Sequence, residues 1–268
     1  GYEWTLRALQ TFEVAQDLKG LSLRASAEWG AGLLAAVMQR EEQATAHLEQ
    51  SLQLWQQVED DAGVASALTA LGARAMYRGE YPRAVELQTQ ALALYAQLGD
   101  DAALAYAHNA LGETLRAGGN LHASQTEYES SLFHAQRAGH ARSIAVAQSN
   151  LASVELALGK SQTARERLAS SLPTFIELND RVNIASCIAT LACADAQREP
   201  PELIRATQLF AFATQLLEQA HGKFEAADAT EFEKWLAHCR AELGADDFER
   251  ARQKGAALML EDVLFVLT

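Results

Sequence analysis

Apolar positions run along this chain in short stripes with helical spacing. Between residues 62 and 78 they fall at Val64, Leu68, Leu71 and Ala75, an i, i+4, i+7, i+11 series that lines one face of a helix. Gly79 follows as a left-handed stop, and Pro82 stands where a new helix can begin without an N–H. A second stripe then runs through Ala84, Leu87, Ala91, Leu94 and Leu98. Gly99-Asp100-Asp101 closes the hairpin, with Asp101 expected as N-cap of the next helix. Helices of about 17 residues are about 25 Å long. No alternating run of Val, Ile and Thr interrupts the series, so strands are not expected.

The hairpin recurs with a period of 40 residues. Leu71-Gly72 returns as Leu111-Gly112, Leu151-Ala152 and Leu191-Ala192, and one period upstream it is Ala31-Gly32. Gly79, Gly119 and Gly159 keep the same spacing, as do Ala44, Ala84, Ser124 and Ala164. Ser51-Leu52, Ala91-Leu92, Ser131-Leu132 and Ser171-Leu172 complete the register. The small residues have a packing reason, because two helices approach to about 8 Å only where little side chain intervenes. Gly72 and Ala84 flank the turn within a unit, and Ala91 would receive the next unit's first helix.

Gly/Ala, then Ala, then Ala/Ser at separations of 12 and 7, with Gly seven after the first, resembles the tetratricopeptide repeat. The residues that carry it are Gly72, Gly79, Ala84 and Ala91, then Gly112, Gly119, Ser124 and Ser131, then Ala152, Gly159, Ala164 and Ser171. The period exceeds the usual one of about 34 residues, as in the extended repeats of bacterial regulators and kinesin light chains. The family's second-helix aromatic stands only at Tyr128, with Leu48, Gln88 and Leu168 in its place elsewhere. The resemblance implies an all-α, right-handed superhelical solenoid of about five helix pairs, over residues 22–61, 62–101, 102–141, 142–181 and 182–221. Residues 1–21, with Trp4, Leu9, Phe12 and Leu18, align with a second helix alone, so the sequence is expected to begin inside a unit. The fifth unit carries a two-residue insertion at Glu199-Pro200-Pro201. Residues 222–268, led by Phe224, Phe232, Trp235 and Leu236, are expected to form a helical cap over the last exposed face. The spacing of Leu243-Gly244, Phe248, Ala251, Gly255, Leu258, Leu260 and Val263 resembles the end of the repeat region in large bacterial STAND/LuxR-type, maltose-regulator-like transcription regulators.

Composition narrows the chemistry. The 268 residues carry 22 Lys and Arg against 35 Asp and Glu, a formal charge of −13, with 49% hydrophobic and 7% aromatic residues. Such an acidic surface repels phosphates, so neither nucleic acid nor an anionic membrane is an expected partner. Three cysteines give no paired framework, and Cys187 and Cys193 would point about 120° apart on one helix. A reducing cytoplasmic setting is the expectation. The chain contains no P-loop, HExxH or GxSxG, and Gly30-Ala31-Gly32 reads as helix packing. Its seven histidines form no metal pair and read as solvated or capping residues. Carboxylate pairs such as Asp60-Asp61 and Asp100-Asp101 fall at helix starts, where capping accounts for them. The locally basic stretch from Phe248 to Lys254 reads as a solvated helix end. No catalytic residue, metal or cofactor is expected.

What remains is a surface. In the family the groove is lined by first-helix positions −5, −2, +2 and +5 from the Leu71-type residue. Carried over, the resemblance implies contacts at Trp29, Thr69 and Met76, at Tyr106, Asn109, Glu113 and Arg116, and at Ser149 and Ser153. The third unit supplies the most polar set, although Asn109, Glu113 and Arg116 also form helix-stabilising i, i+4 and i, i+3 neighbours. Expected partners are a protein or peptide, neighbouring domains of the same parent chain, or a small effector. A structural scaffold that self-associates, as a homodimer or otherwise, and a free-standing adaptor are the alternatives.

Overall fold

The computed structural model of the protein describes residues 2, 3, 5, 17–224 and 226–265. Among these the stripes and stops form thirteen α-helices and no strand. In chain order they are α1 (Leu18–Val37), α2 (Glu41–Gln57), α3 (Asp61–Tyr77), α4 (Tyr81–Leu98), α5 (Asp101–Ala117), α6 (Leu121–Ala138) and α7 (Ala141–Ala157). Then follow α8 (Ser161–Glu177), α9 (Arg181–Ala196), α10 (Leu203–Gln219), α11 (Ala226–Leu243), α12 (Ala245–Ala256) and α13 (Leu260–Phe265). They group into two compact units, residues 1–127 and 128–268.

A left-handed residue ends a helix every twenty positions from 39 to 179: Gln39, Glu59, Gly79, Gly99, Gly119, Gly139, Gly159 and Asn179. After it the chain donates back to a carbonyl five residues earlier, Glu80 N to Ala75 O (2.9 Å) and Lys160 N to Glu155 O (2.8 Å), which satisfies the last turn. Entry into the first helices other than α7 is fixed by aspartates. Asp60 accepts from the Gly63 N–H (2.9 Å), and Asp100 from those of Ala102 (2.9 Å) and Ala103 (3.0 Å). The cap is therefore Asp100 rather than the expected Asp101, which lies inside the first turn. At the start of the chain Asp17 caps α1 through the Gly20 N–H (2.8 Å). Leu18 thus opens a first helix instead of closing a second one, because register position 20 is a glycine with no side chain to cap. Trp4, Leu9 and Phe12 lie outside the described residues.

Within the first unit the first helices α1, α3 and α5 lie side by side, α1 and α3 each backed by its second helix. The contact that holds a hairpin together is glycine-dependent. A Cβ at Gly72 would stand 2.6 Å from Gln88 Cγ and 3.3 Å from the Ala84 carbonyl oxygen; one at Gly32 would stand 2.7 Å from Leu48 Cγ. Gly72→Leu is accordingly expected to overpack the hairpin and lower stability by about 1–3 kcal/mol. A thermal midpoint equal to that of the parent protein would contradict it. Ala91 packs with Leu104 and Ala107 of the following first helix. Leu98, expected inward, is 48% exposed; Gln88 and Tyr95 take the buried places on α4.

A second pairing ties first to second helix at positions 28 and 47 of the register. It is Glu28–His47 in the first hairpin and His108–Glu127 in the third, both with Nδ1 2.7 Å from the carboxylate. The second hairpin holds Leu68 and Leu87 there. Two histidines expected on the solvated surface are therefore half-buried partners across a helix pair. His140 does stand at the N-cap of α7.

In the second unit one apolar cluster runs from Ala145 to Val263. The expected closing contact is present, with the Phe232 ring 6.3 Å from Phe210 and 4.9 Å from Phe224. Cys187, Cys193 and Cys239 are free and buried. Desolvation pushes the Cys187 thiol up to about 11, and the Cys193 and Cys239 thiols also upward, which leaves all three as unreactive thiols at neutral pH. The register position of Ala35, Ala75 and Leu115 carries buried acids here. Glu155 accepts from Arg167 Nε (2.8 Å), and Asp195 accepts from Arg165 and from Arg205 Nε (2.6 Å) and Nη2 (2.8 Å).

Candidate functional site

The residues expected to line a groove meet different fates. In the first unit they sit on α1, α3 and α5. Trp29 is partly buried, its ring 6.5 Å from Trp55, and packs against Ala67, Ala70 and Leu71 on the side of the following helix. Thr69 is only 1% exposed, and its hydroxyl donates to the Ala65 carbonyl (2.9 Å). It belongs to the core, because the neighbouring first helices close over a short side chain at this offset. Met76 is half-buried. In the second unit Ser149 is likewise buried, its oxygen 3.4 Å from Cys187 Sγ, while Ser153 is half-buried on the same helix. Thr69 and Ser149 are therefore removed from the candidate surface.

α5 keeps its set together. Tyr106 is 62% exposed, and Asn109, Glu113 and Arg116 are half-buried on the same helix face. Asn109 Nδ2 donates to Glu113 Oε1 (2.7 Å), which fixes both side chains along the helix. Desolvation by the packing around it, and then the Glu113 carboxylate, push the Tyr106 phenol above its ordinary pKa. A phenol both accessible and hemmed in is the surface a partner side chain can meet over a wide area.

Sequence reasoning also missed an exposed aromatic residue of the same unit. Tyr77, at the end of α3, is 56% exposed, and the Arg74 guanidinium lies 4.7 Å over its ring. Arg74 also pairs with Glu41 (2.9 Å). The signal was available, since the matching positions are Val37, Ala117 and Ala157 and only the second unit puts an aromatic there. With Leu33, 36% exposed on α1, the first helices of this unit present several large apolar side chains to water.

Residues 23–97 match the family described as tetratricopeptide repeat. Over that stretch the sequence is similar to tetratricopeptide repeats. Solved structures of other proteins share the fold over most of the chain. BtubC from P. vanneervenii is 14% identical with a TM-score of 0.68, over 84% of this chain and 92% of its own. A STAND-class signal transduction ATPase with a tetratricopeptide repeat sensor, from Pyrococcus horikoshii, is 16% identical with a TM-score of 0.68, over 99% of this chain and 41% of its own. A Rap protein complexed with competence and sporulation factor is 13% identical with a TM-score of 0.65, over 94% of this chain and 70% of its own. No curated protein matches the sequence. At these identities the likeness shows the tetratricopeptide fold, and no helix among the described residues is long and apolar enough to cross a membrane.

Proposed function

We propose that this tetratricopeptide array is a non-catalytic interaction module, a cytoplasmic segment of a larger bacterial signalling or transcription regulator. It receives a peptide, an adjacent domain or a small effector on its first helices. The observation that carries this reading is α5, where Tyr106 stands open beside Asn109, Glu113 and Arg116. Met76 on α3 is a further contact in the same reading, and Ser153 on α7 is a candidate contact of the second unit taken by itself. Two likenesses support it, to a Rap protein complexed with a factor and to a STAND ATPase whose repeats are its sensor. Buried area centred on one aromatic with a polar surround is the usual anatomy of an affinity-determining contact.

The test is a photo-crosslinkable residue placed at position 106 and, for comparison, at position 98 of the second helix α4, in cells that make the whole parent protein. Position 106 is expected to give a discrete adduct whose yield falls about ten-fold with Arg116→Ala, the effect of removing an interfacial hot spot. Equal adducts from both positions would overturn the reading. An adduct between two copies of the chain would replace it with a self-association scaffold.

A further inference from the structure

Resting on that reading and narrowing its partner, we infer that the second unit holds a docking cleft for a basic, apolar-flanked peptide segment, whose Arg or Lys side chain lies over Trp235 and reaches Glu199. The cleft, of about 550 Å³, has Gln197, Glu199 and Pro201 on one wall and Lys234, Trp235 and His238 on the other. It continues past Gln197 and Trp235 into a second cleft of about 340 Å³ with Leu156 and Ala157 in its lining.

One wall is the two-residue insertion that no other unit has. It is held by its flanks, the Glu202 N–H donating to the Asp195 carbonyl (3.0 Å) and the Arg205 guanidinium gripping the Asp195 carboxylate. The other wall is α11. Trp235 is fixed there by donating its indole N–H to Glu231 (2.6 Å), and the His238 ring stands perpendicular to it with the ring centroids 5.4 Å apart. The ring already attracts a cation, since Lys234 Nζ lies 5.3 Å from its centroid.

The charge balance selects the ligand. Lys234 is neutralised by Glu231 (3.2 Å) and Arg198 by Glu202, so an anion would have to break an existing pair. The Glu199 carboxylate has no ion-pair partner, and the Gln197 side chain makes no hydrogen bond, among the described residues. A free carboxylate beside an indole face suits a guanidinium or ammonium, and a free side-chain amide suits a peptide backbone. The formal charge of −13 on the chain steers cationic partners toward it. Leu156 and Ala157 offer apolar contact to the flanking residue.

The experiment titrates three capped tripeptides, leucine–X–leucine with X as arginine, glutamine or glutamate, into the isotope-labelled full chain. The Trp235 indole resonance, assigned by its loss in Trp235→Phe, is the readout. The arginine peptide is expected to shift it saturably, together with the Gln197 side-chain amide; the glutamine peptide should bind about ten-fold more weakly, and the glutamate peptide should leave both unmoved. Glu199→Gln, in an exposed loop, should weaken the arginine peptide about five-fold, whether or not Trp235→Phe folds. Equal shifts from all three peptides, no shift at millimolar peptide, or indifference to Glu199→Gln would overturn the inference. A position-106 adduct that survives Trp235→Phe and Glu199→Gln alongside such a failure would leave the broader interaction reading standing and remove only this site.

Discussion

Replacing Asp195 by alanine is expected to lower the unfolding free energy by about 3 kcal/mol. Its carboxylate is completely buried at the end of α9 and accepts from Arg165 and twice from Arg205. Without it, two guanidiniums face one cavity. The Arg165 and Arg205 side chains are 21% and 24% exposed, so each can turn partly into water, which keeps the loss at the lower end of what breaking a buried pair produces. The fold itself does not require an acid there, because the same register position is Ala35, Ala75 and Leu115 in earlier units. The ions are therefore a coupled set. A triple variant, Asp195→Ala with Arg165→Val and Arg205→Gln, uses the side chains that Ala75, Val85 and Gln43 show at these positions and is expected to regain most of the loss. Urea titration of parent, single and triple variants measures both steps. A silent single variant, or a triple variant no better than the single, would show that the charges are not coupled.

The repeat was legible because it depends on backbone demands that few residues meet. Gly72 is required by the approach of α4, and Gly79 by a left-handed turn, so both leave a mark at fixed spacing. Side-chain partnerships leave no such mark. Glu28–His47 and His108–Glu127 exchange acid and base between helices, so neither position keeps a residue type, and only the register pairs them. The candidate surface was half legible for a related reason. An offset on a helix gives a direction, while burial depends on how closely the next helix approaches, so Tyr106 stays open and Thr69 and Ser149 do not. The cleft at Trp235 was invisible because a two-residue insertion and a helix beyond the repeats build it, and neither obeys the period.

The helix that seals the second unit gives the other large effect. A Cβ at Gly255 of α12 would stand 2.2 Å from the Gln208 carbonyl oxygen and 2.6 Å from Gln208 Cα, on the backbone of α10. At Gly72 the nearest atom belongs to a glutamine side chain that can bend, whereas here backbone meets backbone and one helix must move. Gly255→Leu is expected to destabilise the docked state of α12 by about 3 kcal/mol or more. Phe248 and Ala251, buried on the same face of α12, lose their contacts with it. The rest of the unit does not depend on that contact, because α7, α8, α9 and α10 pack on one another. The damage should therefore stay local. Hydrogen exchange is expected to show residues 245–256 losing protection while α9 keeps its own. Gly30→Ala serves as the control, since a Cβ there has nothing within 4 Å and improves helix propensity by up to about 1 kcal/mol. Were Gly255→Leu to leave exchange in α12 unchanged, the close packing of α12 on α10 would not be what holds the end of the array.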